Sequence, residues 1–123
     1  MKKLSLLLIL SMLILVSTTA CSKSVFDGSC TGNDDQFIVD YSVLNCTRAH
    51  EIKLERGATI KVNVENKSGY LLILVADTNG EEIYRGDNLT SSVFSLEIPK
   101  TGTYKFSVTG SDAKGSVKFI VTN

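Results

Sequence analysis

Ile60-Lys61-Val62-Asn63-Val64-Glu65 places an aliphatic residue at every second position, with a polar residue after each. A period of two sends successive side chains to opposite faces, so this run predicts a strand with one buried face. Its apolar members are all β-branched, and such side chains pack well on a pleated surface. The same alternation recurs upstream. Phe37, Val39, Tyr41 and Val43 alternate with Ile38, Asp40 and Ser42, and Ile52 and Leu54 alternate with Lys53 and Glu55. Downstream, Phe94, Leu96 and Ile98 alternate with Ser95 and Glu97, Tyr104, Phe106 and Val108 alternate with Lys105 and Ser107, and Val117, Phe119 and Val121 come last. The run at 70–76 is apolar on both faces, as in a central strand covered on each side. At an edge, its second apolar face would be a partner surface. Ile83 and Tyr84 make a short strand that ends at Arg85-Gly86-Asp87.

Turn chemistry separates these runs. Arg56-Gly57, Asn66-Lys67-Ser68-Gly69, Pro99-Lys100-Thr101-Gly102 and the stretch at 110–115 all carry glycine, which tolerates positive φ. Asp77-Thr78-Asn79-Gly80 contains Asn-Gly, a strong hairpin signal. About eight short strands with no helical pattern after the N-terminal leader predict an all-β fold. The expected architecture is an antiparallel β-sandwich of jelly-roll or Ig-like type, with a barrel as the second choice.

The chain begins Met1-Lys2-Lys3, runs through an apolar stretch at 4–16 and reaches Ser17-Thr18-Thr19-Ala20-Cys21. A basic start, a short apolar segment and small residues before a cut describe a secretory signal peptide. Thr18-Thr19-Ala20-Cys21 resembles the lipobox of bacterial lipoproteins. In that family the leader is cut before the cysteine and the thiol is acylated. The resemblance implies lipid attachment at Cys21 and a location on the extracytoplasmic side of the cell membrane. Thr18 and Ala20 also suit an ordinary secretory cut after Ala20. The expected organisation is a signal peptide over 1–20, a lipid-attached polar tether over 21–35 and a β-sandwich over 36–123.

The cysteine count agrees with acylation. The chain has three cysteines, and an odd one in an exported protein needs a role. If Cys21 carries lipid, Cys30 and Cys46 remain as a pair, either joined in a disulfide or as two free thiols. A bridge closing such a loop would stabilise the fold by roughly 3 kcal/mol in the chain-entropy model. Zinc is not expected, because only His50 could join the two cysteines and a structural site needs four ligands.

The residues Gly57-Ala58-Thr59-Ile60-Lys61-Val62, Leu72-Ile73-Leu74-Val75-Ala76-Asp77-Thr78-Asn79-Gly80 and Thr101-Gly102-Thr103-Tyr104-Lys105-Phe106-Ser107-Val108 together resemble bacterial pre-peptidase C-terminal type domains. That resemblance implies a jelly-roll module with an accessory, secretion or binding role. Asn66-Lys67-Ser68-Gly69-Tyr70 also resembles one loop of chagasin-like inhibitors of cysteine peptidases, which are small Ig-like sandwiches. It is one residue short and has no proline.

Composition and motifs narrow the function. Removing residues 1–20 takes Lys2 and Lys3 and no acidic residue, leaving a slightly negative chain. No basic patch suggests nucleic acid. The single histidine, His50, lies beside Glu51 but near no recognisable nucleophile, and Glu81 and Glu82 point to opposite faces of a strand. An enzyme is therefore not expected, and neither a cofactor nor a metal. Asp77-Thr78-Asn79-Gly80-Glu81 lacks the register of a calcium loop. The expectation is a non-catalytic surface lipoprotein, anchored to the membrane through lipid on Cys21, that binds a glycan or protein of the cell envelope. An inhibitor or accessory factor of a secreted peptidase is the alternative. Tyr70 and Tyr84 are the candidate ligand-binding aromatics, because Tyr41 and Tyr104 fall on core-facing positions.

Overall fold

The computed structural model describes residues 24–122. The leader and Cys21 lie outside the described residues. Seven strands follow in order: β1 (Val25–Gly32), β2 (Gln36–Asn45), β3 (Thr47–Leu54), β4 (Thr59–Asp77), β5 (Glu82–Gly86), β6 (Ser92–Glu97) and β7 (Gly102–Thr122). Every pairing between them is antiparallel.

Two long strands organise the fold. β4 has 19 residues and β7 has 21, several times a usual strand, and they pair along almost their whole length. Residues 59–66 of β4 lie between β6 and the end of β7, where β2 and then β1 are added. Residues 71–77 of β4 lie between β5 and the start of β7, where β3 is added. One hydrogen-bonded sheet thus has two halves, β1-β2-β7-β4-β6 and β3-β7-β4-β5. The halves pack face to face. Phe106 in the second meets Phe119 in the first with ring centroids 5.1 Å apart, and Tyr84 on β5 meets Phe94 on β6 at 4.8 Å. This is the expected β-sandwich.

The bend between halves has a side-chain signature. In β4 the core positions are Ile60, Val62 and Val64 before the bend and Leu71, Ile73 and Val75 after it. In β7 they are Tyr104, Phe106 and Val108, then Ala113, Val117 and Phe119. Even numbers give way to odd in both strands. Slipping a strand by one residue sends its side chains to the other face. The irregularities between Asn66 and Ser68 and between Ser68 and Tyr70 absorb the slip in β4, keeping both apolar sets turned to one core.

Several expectations change. The stretches at 66–69 and 110–115 are not turns; they are the bent middles of β4 and β7. Four of the expected strands therefore merge into two, and an unexpected strand, β1, brings the total to seven. The polar stretch 21–35, read as a tether, contains β1. β1 is held mainly by its backbone ladder to β2 and carries few apolar side chains, so hydrophobic periodicity does not reveal it. In β2, Leu44 takes the core position in place of Val43, because the ladder is irregular between Tyr41 and Leu44.

Cys30 and Cys46 are free thiols, each half-buried against the core. Cys30 sits opposite Val39, whereas Val25 sits opposite Asn45, the neighbour of Cys46. The five positions from Val25 to Cys30 span about 16 Å of strand, well past the Cα separation of about 7 Å that a disulfide tolerates. The expected bridge is absent for that geometric reason.

Candidate functional site

The two candidate tyrosines occupy different environments. Tyr84 pairs with the core residue Val75 and so faces inward, where its ring meets Phe94 edge-on. Burial pushes its phenol pKa up. It closes the core between β5 and β6 and offers no open platform. Tyr70 lies at the bend, 37% exposed, and its hydroxyl donates to the Asp87 carboxylate. The structure does not bring the pair together as one site.

A different set does converge. On the outer face of the first half-sheet, Asp40 of β2 pairs across to Ser116 of β7, which pairs to Glu65 of β4. Lys118 lies two positions along β7, while Lys67 and Lys114 reach in from the bends. With Ser42 and Gly115, these residues line an open groove of about 430 Å³. Among the described residues the ion pairs are Arg85–Glu82, Lys100–Asp77 and Lys100–Glu81, so none of the groove's charged side chains is neutralised by one. Three ammonium groups face two carboxylates, a small positive excess suited to holding a hydrated, charged ligand. Sequence alternation marks most of these positions as outward-facing. Only the register between β2, β7 and β4 makes them neighbours.

Tyr41 lies behind this groove. It is 3% exposed, and its hydroxyl is buried with no hydrogen-bond partner. Desolvation, with a smaller push from the Asp40 carboxylate, raises its pKa from 10.0 to about 12. The folded state therefore holds this proton more tightly than the unfolded chain. The stability linked to it is complete below pH 10 and is lost as pH rises from 10 to about 12. Tyr41→Phe should remove that alkaline loss, which amounts to about 2 kcal/mol once solvent screening is allowed for. At neutral pH it should change stability by less than about 1 kcal/mol, since no hydrogen bond is lost. Urea unfolding of both proteins across this pH range checks the difference, and equal alkaline loss in the two would remove Tyr41 as its source.

The remaining motifs have structural roles. Nε2 of His50 lies 2.8 Å from the Asn33 carbonyl, and the ring packs on Phe37 with centroids 5.5 Å apart. Asn33 Oδ1 accepts the backbone N–H groups of Asp35 and Gln36 at 2.8 and 3.0 Å, making Asp34-Asp35 a capped turn. Asp77 Oδ1 accepts the N–H groups of Asn79 and Glu81, each at 2.9 Å. The Glu81 N–H is the largest cause of the lowered Asp77 pKa, and Lys100 adds to it. That is hairpin chemistry, as Asn79-Gly80 predicted. Arg85 of the Arg-Gly-Asp triplet is paired with Glu82, and Gly86 is buried. A second open groove, of about 600 Å³, is lined by Asp34, Asp35, Glu51, Lys53 and Thr103. Among the described residues no group of three or more His, Cys, Asp or Glu side chains is placed to hold a metal.

No protein-family model and no curated protein matches this chain. Solved structures share its general layout. A periplasmic inhibitor of g-type lysozyme from Aeromonas hydrophila is 15% identical, with 84% of this chain and 93% of that one covered and a TM-score of 0.47. The pre-peptidase C-terminal domain of a Bacillus anthracis collagenase is 13% identical over 82% of this chain and 100% of that one, with a TM-score of 0.49. A family 35 carbohydrate binding module from an environmental isolate is 18% identical over 84% and 85%, with a TM-score of 0.47. The pre-peptidase type of domain that the sequence resembles is thus among them. Identities and TM-scores this low leave function to be argued from the site.

Proposed function

We propose that this chain is a membrane-anchored lipoprotein, acylated at Cys21, whose β-sandwich is a non-catalytic module binding an acidic glycan of the cell envelope. The observation that carries the binding reading is the groove where Lys67, Lys114 and Lys118 converge with no ion-pair partner. Ammonium groups on a paired, rigid sheet meet an anionic polymer without first breaking salt bridges, and polar Asp40, Glu65 and Ser116 beside them suit a hydroxyl-rich chain. The anchoring reading rests on the lipobox resemblance and the odd cysteine. Inhibition of a peptidase through residues 66–70 is the less favoured reading, because that segment is held within β4 and is not a projecting loop.

Charge reversal tests the groove. The triple variant Lys67→Glu, Lys114→Glu, Lys118→Glu should weaken binding to an acidic polysaccharide by at least about tenfold, or ~1.4 kcal/mol. Added salt should weaken the parent protein's binding in the same way. Lys53→Glu, in the other groove, should leave affinity unchanged. Titration calorimetry reads all three, and full affinity in the triple variant would move the site elsewhere. Incorporation of labelled fatty acid into the parent chain, with none in Cys21→Ala, tests the anchor.

A further inference from the structure

Among the described residues, β1, β3, β5 and β6 each pair with a neighbour on one side alone. A strand edge offers a row of backbone donors and acceptors to any extended chain that approaches, and folded proteins blunt such edges with charge, proline or a bulge. Three of these edges are blunted. β1 carries Asp27 and an irregularity beside Gly28. β3 carries Arg48, Glu51 and Lys53. β5 carries Glu82 and Arg85, with an irregularity where it pairs with Val75 and Ala76. β6 has none of these devices within its span. No charged residue lies between Asp87 and Glu97, and Pro99 comes after the strand. The ladder from Ser92 to Glu97 runs along β4 without a shift of register.

The bonds just past β6 show which way its backbone groups point. The Ile98 N–H donates to the Ala58 carbonyl, and the Ile98 carbonyl accepts from the Gly57 N–H, each at 2.9 Å. Ile98 therefore faces the β4 side. Antiparallel ladders alternate, so Leu96, Phe94 and Ser92 also turn their groups to β4, opposite Ile60, Val62 and Val64. Val93 and Ser95 turn theirs outward. Val93 is also 62% exposed, the most of any large apolar side chain among the described residues. Phe94 is half-buried, with its ring against Tyr84. Outward-facing backbone groups, an exposed valine and a partly covered aromatic thus share one uncharged edge.

We propose that the β6 edge is where two copies of this chain pair, antiparallel about a two-fold axis, to make one continuous sheet. A second copy fits because β6 matches its own reverse. With the axis at Phe94, Val93 stands opposite Ser95 of the second copy, and the two Phe94 side chains meet at the axis. Each Glu97 stands opposite a serine, Ser91, so the two glutamates lie at opposite ends of the paired segment, on the order of 20 Å apart. The charges nearby are already engaged, Glu82 with Arg85, Glu81 with Lys100 and Asp87 with the Tyr70 hydroxyl. A six-residue edge covers less than the roughly 800 Å² per partner of a standard interface, so the pairing is weak and concentration-dependent. An axis normal to the sheet leaves both lysine grooves on the same face. The pairing does not depend on the groove reading.

Sedimentation velocity of the full chain in non-ionic detergent tests the pairing. Over about a hundredfold rise in concentration, monomer should pass to dimer, and amide hydrogen exchange at Val93 and Ser95 should slow. Val93→Lys should weaken association by at least about tenfold. Its site is exposed, so it should keep the parent's thermal midpoint. Ser95→Pro removes an outward-facing N–H and no bond to β4, and should also give monomer. Ser29→Lys, on the β1 edge, should leave association unchanged. A chain that stays monomeric throughout would overturn the proposal and leave the edge to an extended segment of a different protein. A dimer that survives Val93→Lys, or that Ser29→Lys weakens as much, would overturn it by placing the contact elsewhere.

Discussion

Gly115→Ala is expected to destabilise the domain by about 4 kcal/mol and to lower its Tm by more than about 15 °C. Gly115 has φ of +144°, a conformation that side chains rarely adopt. A Cβ built there would lie 1.8 Å from the Glu65 carbonyl oxygen and 3.2 Å from the Asn66 Cα. Both neighbours are backbone of a paired strand, so neither can step aside as a flexible side chain would. Gly115 is also where β2, β7 and β4 meet, with Tyr41 on one side and Asn66 on the other. Strain there would push the bend of β4 away from that of β7. A domain of this size has only about 5–15 kcal/mol to lose, so the variant should unfold at mild urea concentrations. Gly102→Ala is the control, since a Cβ there meets nothing within 4 Å, and it should stay within about 0.5 kcal/mol of the parent. Similar midpoints for the two variants would contradict this account of the bend.

Phe119→Ala should cost ~4 kcal/mol, measured as a shift of the urea midpoint with little change in slope. Phe119 is fully buried. It stacks on Phe37 of its own half-sheet, with centroids 5.9 Å apart and an interplanar angle of 7°. It also meets Phe106 of the other half at 61°. Truncation removes both contacts and opens a cavity at the centre of the sandwich, where backbone ladders on each side limit collapse. Phe119→Leu should recover most of the loss, leaving about 1.5 kcal/mol. A cost below about 2 kcal/mol for the alanine variant would mean that the two halves do not depend on this contact.

Much of the core was legible before folding. Phe37, Val39, Tyr41, Ile52, Ile60, Val62, Val64, Tyr104, Phe106, Val108, Val117 and Phe119 are all buried, as their alternation predicts. The hairpin at Asn79-Gly80 was equally plain, because Asp77 and its neighbours form that turn through contacts within a few residues. Other features were hidden. β1 is a backbone partner with few apolar side chains. The glycine-bearing polar stretches at 66–69 and 110–115 look like turns, because a bent strand exposes polar side chains much as a turn does. Tyr84 looked available because alternation is too short in β5 to assign a face. The lysine groove was invisible as a group, since Asp40, Glu65 and Ser116 are far apart in the chain.

Alternation of side chains is a local property, and it alone established the all-β class and most of the residues that fill the core. The expectation of a leader over 1–20 ending before Cys21 likewise rests on neighbouring residues alone. The bends of β4 and β7, the distance between Cys30 and Cys46, and the meeting of Lys67, Lys114 and Lys118 arise from long-range register. Register is set by backbone pairing between distant segments and by the bulges that shift it. Side-chain period says which face a residue takes, and pairing says which residue stands beside it.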